Sequence, residues 1–318
     1  MPWAAWCCSF SPMSYLDYSK FQAFLARYFS ERAAGPTRDS GYFDIIRFFG
    51  RDAVDPRDIA VRCVPGRYRF SDTRIARFAD EIATELRRQG RLLDGPTVMK
   101  LVSFDPSARP PIMAVQEAAY EQSSGSCFAL DVEHPLFADA GGTLREYYKP
   151  QCRSHAVTDN PLCICLGVSG MLLTAGARGP LVLQVKRTGK VATLAGEYGP
   201  SVAGVVDFTD RFENLEQLLR AQMAAEISEE LNLRPDEYTL EPLAYAREIF
   251  RGERPQLFSL IRTTLDASGL ARRLNGTEPS RREFDSFDLV AAEALPPARL
   301  NFEAKMNWHF VSEYLDTL

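Results

Sequence analysis

Across its 318 residues the sequence has no Walker-type phosphate loop, no dinucleotide-binding glycine fingerprint, no internal repeat and no low-complexity tract. The common nucleotide-binding loops, solenoids and disordered arrays are therefore not expected. No apolar run reaches the length of a membrane span. Residues 1–13 are apolar, with Trp3 and Trp6, yet lack the basic stretch and apolar length of a signal peptide. Positive charge is not in excess either. With a net charge of −5 there is no basic field to recruit nucleic acid or an anionic membrane, so a polyanionic ligand must be held locally. The seven cysteines are odd in number and scattered, which points to a reducing compartment and so to a cytoplasmic location. Cys163 and Cys165 read as buried strand thiols, with spacing that suits neither zinc nor redox chemistry. Cys152 and His155 lack an orienting context for thiol catalysis, and His309 stands apart from them. Gly167-Val168-Ser169-Gly170 lacks the spacing of a serine-nucleophile turn.

What is present is the composition of a globular protein, 46% hydrophobic and 25% charged, long enough for one large domain or two. Phe21, Phe24, Leu25, Tyr28 and Phe29 recur at helical spacing. Ser71-Asp72 is a helix start for the stripe Ile75, Phe78, Ile82, Leu86. From residue 96 the pattern changes. Strands are expected at 98–102 and 112–115, across a turn-rich 105–111, then over 161–174, 181–187, 201–207, 242–249, 256–264 and 287–291. The connection at 175–180 reads as a hairpin. This order divides the chain into a mainly helical extension over residues 1–95, a strand-containing preface over 96–160 that packs on the core, and a main domain over 161–318. Strands before and after one acidic helix, with a helix at the end, indicate an α/β sandwich with a mixed sheet.

That acidic helix, from about residue 214 to 233, closes on Glu226-Ile227-Ser228-Glu229-Glu230-Leu231-Asn232-Leu233. At about 100° per residue, Glu229 lies about 60° to one side of Glu226 and Glu230 about 40° to the other, so the three carboxylates share one face. The row Leu215, Leu219, Met223, Ile227, Leu231 steps by four and supplies a face to bury. Like charges so placed repel unless a cation sits among them. Hard divalent ions such as Mg²⁺ or Mn²⁺ take carboxylate oxygens and keep waters that can meet phosphates. The alternative is an ordinary solvated acidic face.

A strand ending in Arg187, Gly204 after a short strand, and this helix together resemble the Nudix hydrolase signature, G-x5-E-x7-R-E-U-x-E-E-x-G-U. Glu226, Glu229 and Glu230 fall on its three clustered carboxylates. The resemblance covers roughly residues 160 to 300 and implies a Nudix α/β/α sandwich. Segments 89–101, the Tyr120 region, 166–168 and 186–192 resemble, in order, the UDP-sugar diphosphatase branch. That branch splits UDP-glucose or UDP-galactose into UMP and a sugar 1-phosphate.

By this resemblance Glu226, Glu229 and Glu230 hold Mg²⁺ (or Mn²⁺), with Gly204 giving a backbone carbonyl or a close approach. Glu248 or Glu253, and less so Glu283, would add a further acid. Arg187 and Arg247 would grip phosphate oxygens bidentately. Tyr120, Tyr148 or Tyr198 would stack on the base, and Tyr120 is the preferred one. The partner implied is a nucleotide-linked small molecule, and the extension over 1–95 either covers the cleft or mediates a homodimer. Departures are equally plain. Gly204 and Ala225 are 21 positions apart, about seven more than the signature has, leaving Glu213 and Glu216 as candidates for its first acid. Ala225 stands where the family has an arginine that holds a catalytic carboxylate, which opens the reading of a weak or inactive nucleotide-binding sensor. A Nudix hydrolase for a different nucleotide is a further alternative. Asn232 replaces the closing glycine, and asparagine is the next best residue for a left-handed cap.

Overall fold

The computed structural model describes residues 16–17, 19–21, 23, 43–50, 54–90, 97–105, 107–149, 157–189, 194, 196–276, 283–295 and 299–317. Strands β1 (Phe43–Phe48) and β2 (Ala60–Arg67) precede helix α1 (Thr73–Arg88). Strands β3 (Thr97–Asp105) and β4 (Ile112–Ala119) lead to short helices α2 (Tyr120–Cys127) and α3 (Leu144–Tyr148). Then come β5 (Gly167–Gly176), β6 (Gly179–Arg187), β7 (Tyr198–Gly199), β8 (Val202–Val205), α4 (Leu215–Leu231), β9 (Tyr238–Glu248), β10 (Arg254–Asp266), α5 (Ala267–Asn275), β11 (Phe284–Ala291) and α6 (Phe302–Leu315). The architecture is mixed α/β.

Eight strands form the main sheet, in the order β1-β9-β10-β5-β6-β11, with β8 also paired to β5 and β7 to β6. The β5–β10 pairing is parallel and the others are antiparallel. A second sheet, β2-β4-β3, joins the first through bridges Val98–Asp207 and Lys100–Cys165. Helices cover both faces of the main sheet, as two successive residues of β5 demonstrate. Ser169 Oγ accepts a 2.9 Å hydrogen bond from Asn307 Nδ2 of α6. The next residue points the other way: a Cβ on Gly170 would lie 2.7 Å from Met223 Cε of α4.

The segments expected from sequence form for readable reasons. Asp72 accepts from the Arg74 and Ile75 amides and starts α1, whose stripe Ile75, Phe78, Ile82 and Leu86 is buried. Asn214 caps α4 by accepting from Gln217 N at 3.0 Å, and Leu215, Leu219, Met223, Ile227 and Leu231 are fully buried. Asn232 ends the helix at φ 54°, the left-handed cap expected of it.

Besides α1, the described part of residues 1–95 carries two strands: β1 is the edge of the main sheet, pairing with β9, and β2 lies parallel to β4. Both strands depend on partners far along the chain, which local periodicity does not reveal. Cys163 and Cys165 are buried and free, but they precede β5 rather than lying in it, with Sγ atoms 3.8 Å apart. Phe24, Leu25, Tyr28, Phe29, Cys152 and His155 lie outside the described residues. Among the described residues no helix is long and apolar enough to cross a membrane.

Candidate functional site

The carboxylates of α4 meet the main sheet at β8. Gly204 pairs with Val168 of β5, and a Cβ at this glycine would run into Glu226 Oε1 and Cδ. Hydrogen in place of a side chain is what lets the Glu226 carboxylate lie against the strand. Gln222, one turn earlier, donates from Nε2 to Glu226 Oε1 at 2.8 Å, while its Oε1 accepts from the Asp207 amide at 3.1 Å. One amide side chain thus fixes the glutamate to the end of β8.

Burial pushes the Glu226 carboxyl up to about 7; the Gln222 hydrogen bond works against this, and Glu283, Glu229 and Asp207 add to it. Glu230, 5% exposed, is raised well above the carboxylate range, first by burial and then by Glu283 and Glu226. The Arg187 guanidinium and the Ala203 amide oppose that rise. Its Oε1 is buried without a hydrogen-bond partner. Asp207 is raised by burial and by Glu229, which is itself exposed on α4. Five acids therefore neighbour one another: Glu226, Glu229, Glu230, Asp207 and Glu283. Among the described residues the basic group placed among them is Arg187, last residue of β6, 3.3 Å from Glu283 Oε2. With Ala225 exposed on α4 and carrying no charge, it is this strand arginine that acts on Glu230.

Other candidates lie elsewhere. Glu248 is fully buried and ion-paired with Arg251; the charges acting most strongly on it are Arg251, Glu303 and Arg254, with burial raising its carboxyl first. Arg251 also donates to Glu303 at 2.6 Å, and Gln256 Nε2 donates to Glu303 Oε1 at 2.9 Å. Arg247 pairs with Glu253 at 3.6 Å, and Glu253 also pairs with Lys149. Both interactions hold the tight, wholly buried β9–β10 connection. Tyr148 is a core residue, Tyr198 lies under the Arg299 guanidinium at 4.5 Å, and the His309 ring packs 5.5 Å from Phe310. Glu216 bonds Arg220 at 2.8 Å, and Glu213 sits beside it in the exposed connection before α4. Tyr120 opens α2 at the same end of the sheet as the acids. Burial raises its hydroxyl, while the Ser124 hydroxyl first and then Arg254 and Arg187 pull it down against Glu283.

Two residues near the acids carried no sequence signal of their own. Asp207 ends a run of strand character, and only the β8–α4 geometry turns it toward Glu229. Arg254 begins β10 and reaches the Tyr120 side of the site. Among the described residues, no three His, Cys, Asp or Glu side chains stand at full metal-binding convergence. The orphaned Glu230 oxygen and the glycine-made space for Glu226 nonetheless fit a hard cation, because both leave carboxylate oxygens without a positive partner.

No protein-family profile matches the chain, and no curated protein matches it. Solved structures similar to part of it include DR0079 from Deinococcus radiodurans, 17% identical over 46% of this chain and 82% of that one, TM-score 0.33. An Ap4A hydrolase from C. elegans, in a binary complex, is 14% identical over 48% of this chain and 99% of its own, TM-score 0.32. The Nudix domain of NrtR from Shewanella oneidensis, complexed with ADP ribose, is 18% identical over 48% of this chain and 88% of its own, TM-score 0.32. The likeness is partial, and what the chain does is read from its own side chains.

Proposed function

We propose that the chain is a Nudix-type hydrolase that cleaves the diphosphate of a nucleoside diphosphate linked to a second moiety. UDP-glucose and UDP-galactose, giving UMP and sugar 1-phosphate, are the leading substrates. The observation that carries this reading is the charge imbalance at the end of α4, where five neighbouring carboxylates have, among the described residues, Arg187 as their basic group and Glu230 keeps an unpartnered buried oxygen. Glu226, Glu229 and Glu230 would hold Mg²⁺ or Mn²⁺, with Glu283 and Asp207 close by. Such an ion supplies neutralisation of phosphoryl charge and an activated water. The chain's own residues supply the rest: Gln222 orients Glu226 through its 2.8 Å hydrogen bond, Gly204 keeps room for that carboxylate, and Arg187 both steadies Glu230 and faces the phosphate. In this reading Glu248, paired with Arg251, and Arg247, paired with Glu253, would hold the sheet end, not a metal ion or the phosphate.

The absence of an arginine at Ala225 motivates the second reading, a nucleotide-binding sensor without turnover. The two separate in one assay. Incubation with UDP-glucose and Mg²⁺ should release UMP, and Glu230→Gln should abolish the release. Unchanged nucleotide after prolonged incubation, with the ligand tightly bound, would favour the sensor. A panel of other diphosphates read by product mass then assigns the leaving group.

A further inference from the structure

Among the described residues, buried cations follow a rule with two exceptions. Arg145 forks onto both oxygens of Asp131 at 2.6 and 2.8 Å, Arg251 bridges Glu248 and Glu303, Arg247 pairs with Glu253, and so does Lys149. Lys100 and Arg254 have no carboxylate partner among the described residues. Lys100 can shed its proton, and burial lowers its pKa in that direction. Arginine cannot do so. Arg254 is 3% exposed and has no carboxylate in contact among the described residues; Glu248 and Glu303 act on it, but both are already bonded to Arg251, so the Arg254 fork stays open to an anion.

The details around Arg254 say where that anion would lie. Its Nε donates to the Cys165 carbonyl at 3.1 Å, and its guanidinium packs 5.7 Å from the Phe128 ring. These contacts fix the stem and leave the terminal nitrogens without hydrogen-bond partners among the described residues. A Cβ on Gly167 would lie 2.6 Å from Arg254 Nη2, so the glycine is what lets the guanidinium occupy this place. The Tyr120 hydroxyl, bonded to Ser124, is acted on by both Arg254 and Arg187, and the Arg187 Nε is buried with no partner among the described residues. Two arginines, from β10 and β6, thus act on one hydroxyl.

We infer that Arg254, together with Arg187 and Tyr120, forms a phosphate-binding subsite, with the Arg254 fork gripping non-bridging oxygens of a phosphate or diphosphate. Taking that anion to be the substrate's own diphosphate rests on the hydrolase reading above; the binding of a phosphoryl anion does not. Arginine suits the task because its planar donors match two phosphate oxygens at once. Removing a charge-assisted fork from a buried site weakens binding by about tenfold or more.

Inorganic pyrophosphate, titrated into the full-length protein without metal and followed by calorimetry and thermal melting, tests this directly. Wild type should bind and gain melting temperature, while Arg254→Gln should lose at least about tenfold in affinity and Tyr120→Phe a smaller factor. Should Arg254→Gln fail to fold, Arg254→Lys, which keeps the charge but not the fork, carries the test. A folded Arg254 variant that binds pyrophosphate as tightly as wild type overturns the inference. Loss of metal-dependent UMP release in Glu230→Gln, alongside pyrophosphate binding indifferent to Arg254, would sink the subsite and leave the hydrolase. Arg254-dependent pyrophosphate binding in a wild type that hydrolyses no nucleotide would support the subsite and remove the hydrolase.

Discussion

Two charged regions meet at one end of the main sheet and are built on opposite plans. In the first, Arg251 bridges Glu248 and Glu303 and Gln256 donates to Glu303, while Arg254 beside them has no ion pair among the described residues. In the second, Glu226, Glu229, Glu230, Asp207 and Glu283 have Arg187 as their basic neighbour. Buried charges that balance are scaffold, and breaking one partner leaves the other stranded. Clustered carboxylates without paired bases raise the pKa of their more buried members, here Glu226 and Glu230, while Glu229, Asp207 and Glu283 are exposed at the rim. On the hydrolase reading proposed above, the difference would separate the acids that hold the fold from the acids available for chemistry.

The largest expected effect sets the two regions against each other. Glu230→Gln should cut turnover by about a hundredfold or more while leaving stability without metal unchanged or higher, since a strained carboxylate is removed. Glu303→Gln should do the reverse in stability, a loss of about 3–5 kcal/mol in urea unfolding. Equal destabilisation by both variants would erase the distinction. Next, Gly204→Ala places a Cβ where the Glu226 carboxylate lies and should lower turnover by about tenfold to a hundredfold, with a cooperative melt retained. A fully active alanine variant would break the account of that glycine.

The dependence on pH gives a smaller, signed test. A carboxyl whose folded pKa is about 7, against 4.5 for the free group, stabilises the fold fully below the free value and loses that contribution as pH rises through 7. Without metal, melting temperature should therefore fall between about pH 5 and 7.5, with Asp207, Glu230 and Glu248 shifted in the same direction. Glu226→Gln should flatten the fall, and saturating Mg²⁺ should suppress it in wild type. The mildest change is Glu229→Gln. This residue is exposed, so stability should move by no more than about 0.5 kcal/mol, with divalent affinity reduced only a few-fold.

Much of this arrangement was legible from residues alone because it is local. The Asn214 cap, the four-step apolar row and Asn232 delimit α4, and three glutamates one turn apart must share a face. The hairpin after Thr174 announces itself by its glycines and proline. Pairing across distance is another matter: β1 and β2 find their partners in β9 and β4, and nothing in a short window records that. The same limit applies to the site. Glu248 and Glu253 are as acidic in sequence as Glu283, and only the register of β9 with β10 commits them to Arg251, Arg247 and Lys149. Arg254 stands out only once its neighbours' partners can be compared with its own.

The central claim is that the unbalanced acids are a seat for a divalent cation. Binding of Mn²⁺ at pH 7.5, followed by the disappearance of its free-ion electron paramagnetic resonance signal, tests it most directly. Wild type should bind saturably, Glu226→Gln and Glu230→Gln should lose at least about tenfold in affinity, and Glu248→Gln, to the extent that it folds, should bind as wild type does. A wild-type protein that leaves the Mn²⁺ signal untouched, or a Glu248→Gln variant that alone abolishes binding, would contradict the account.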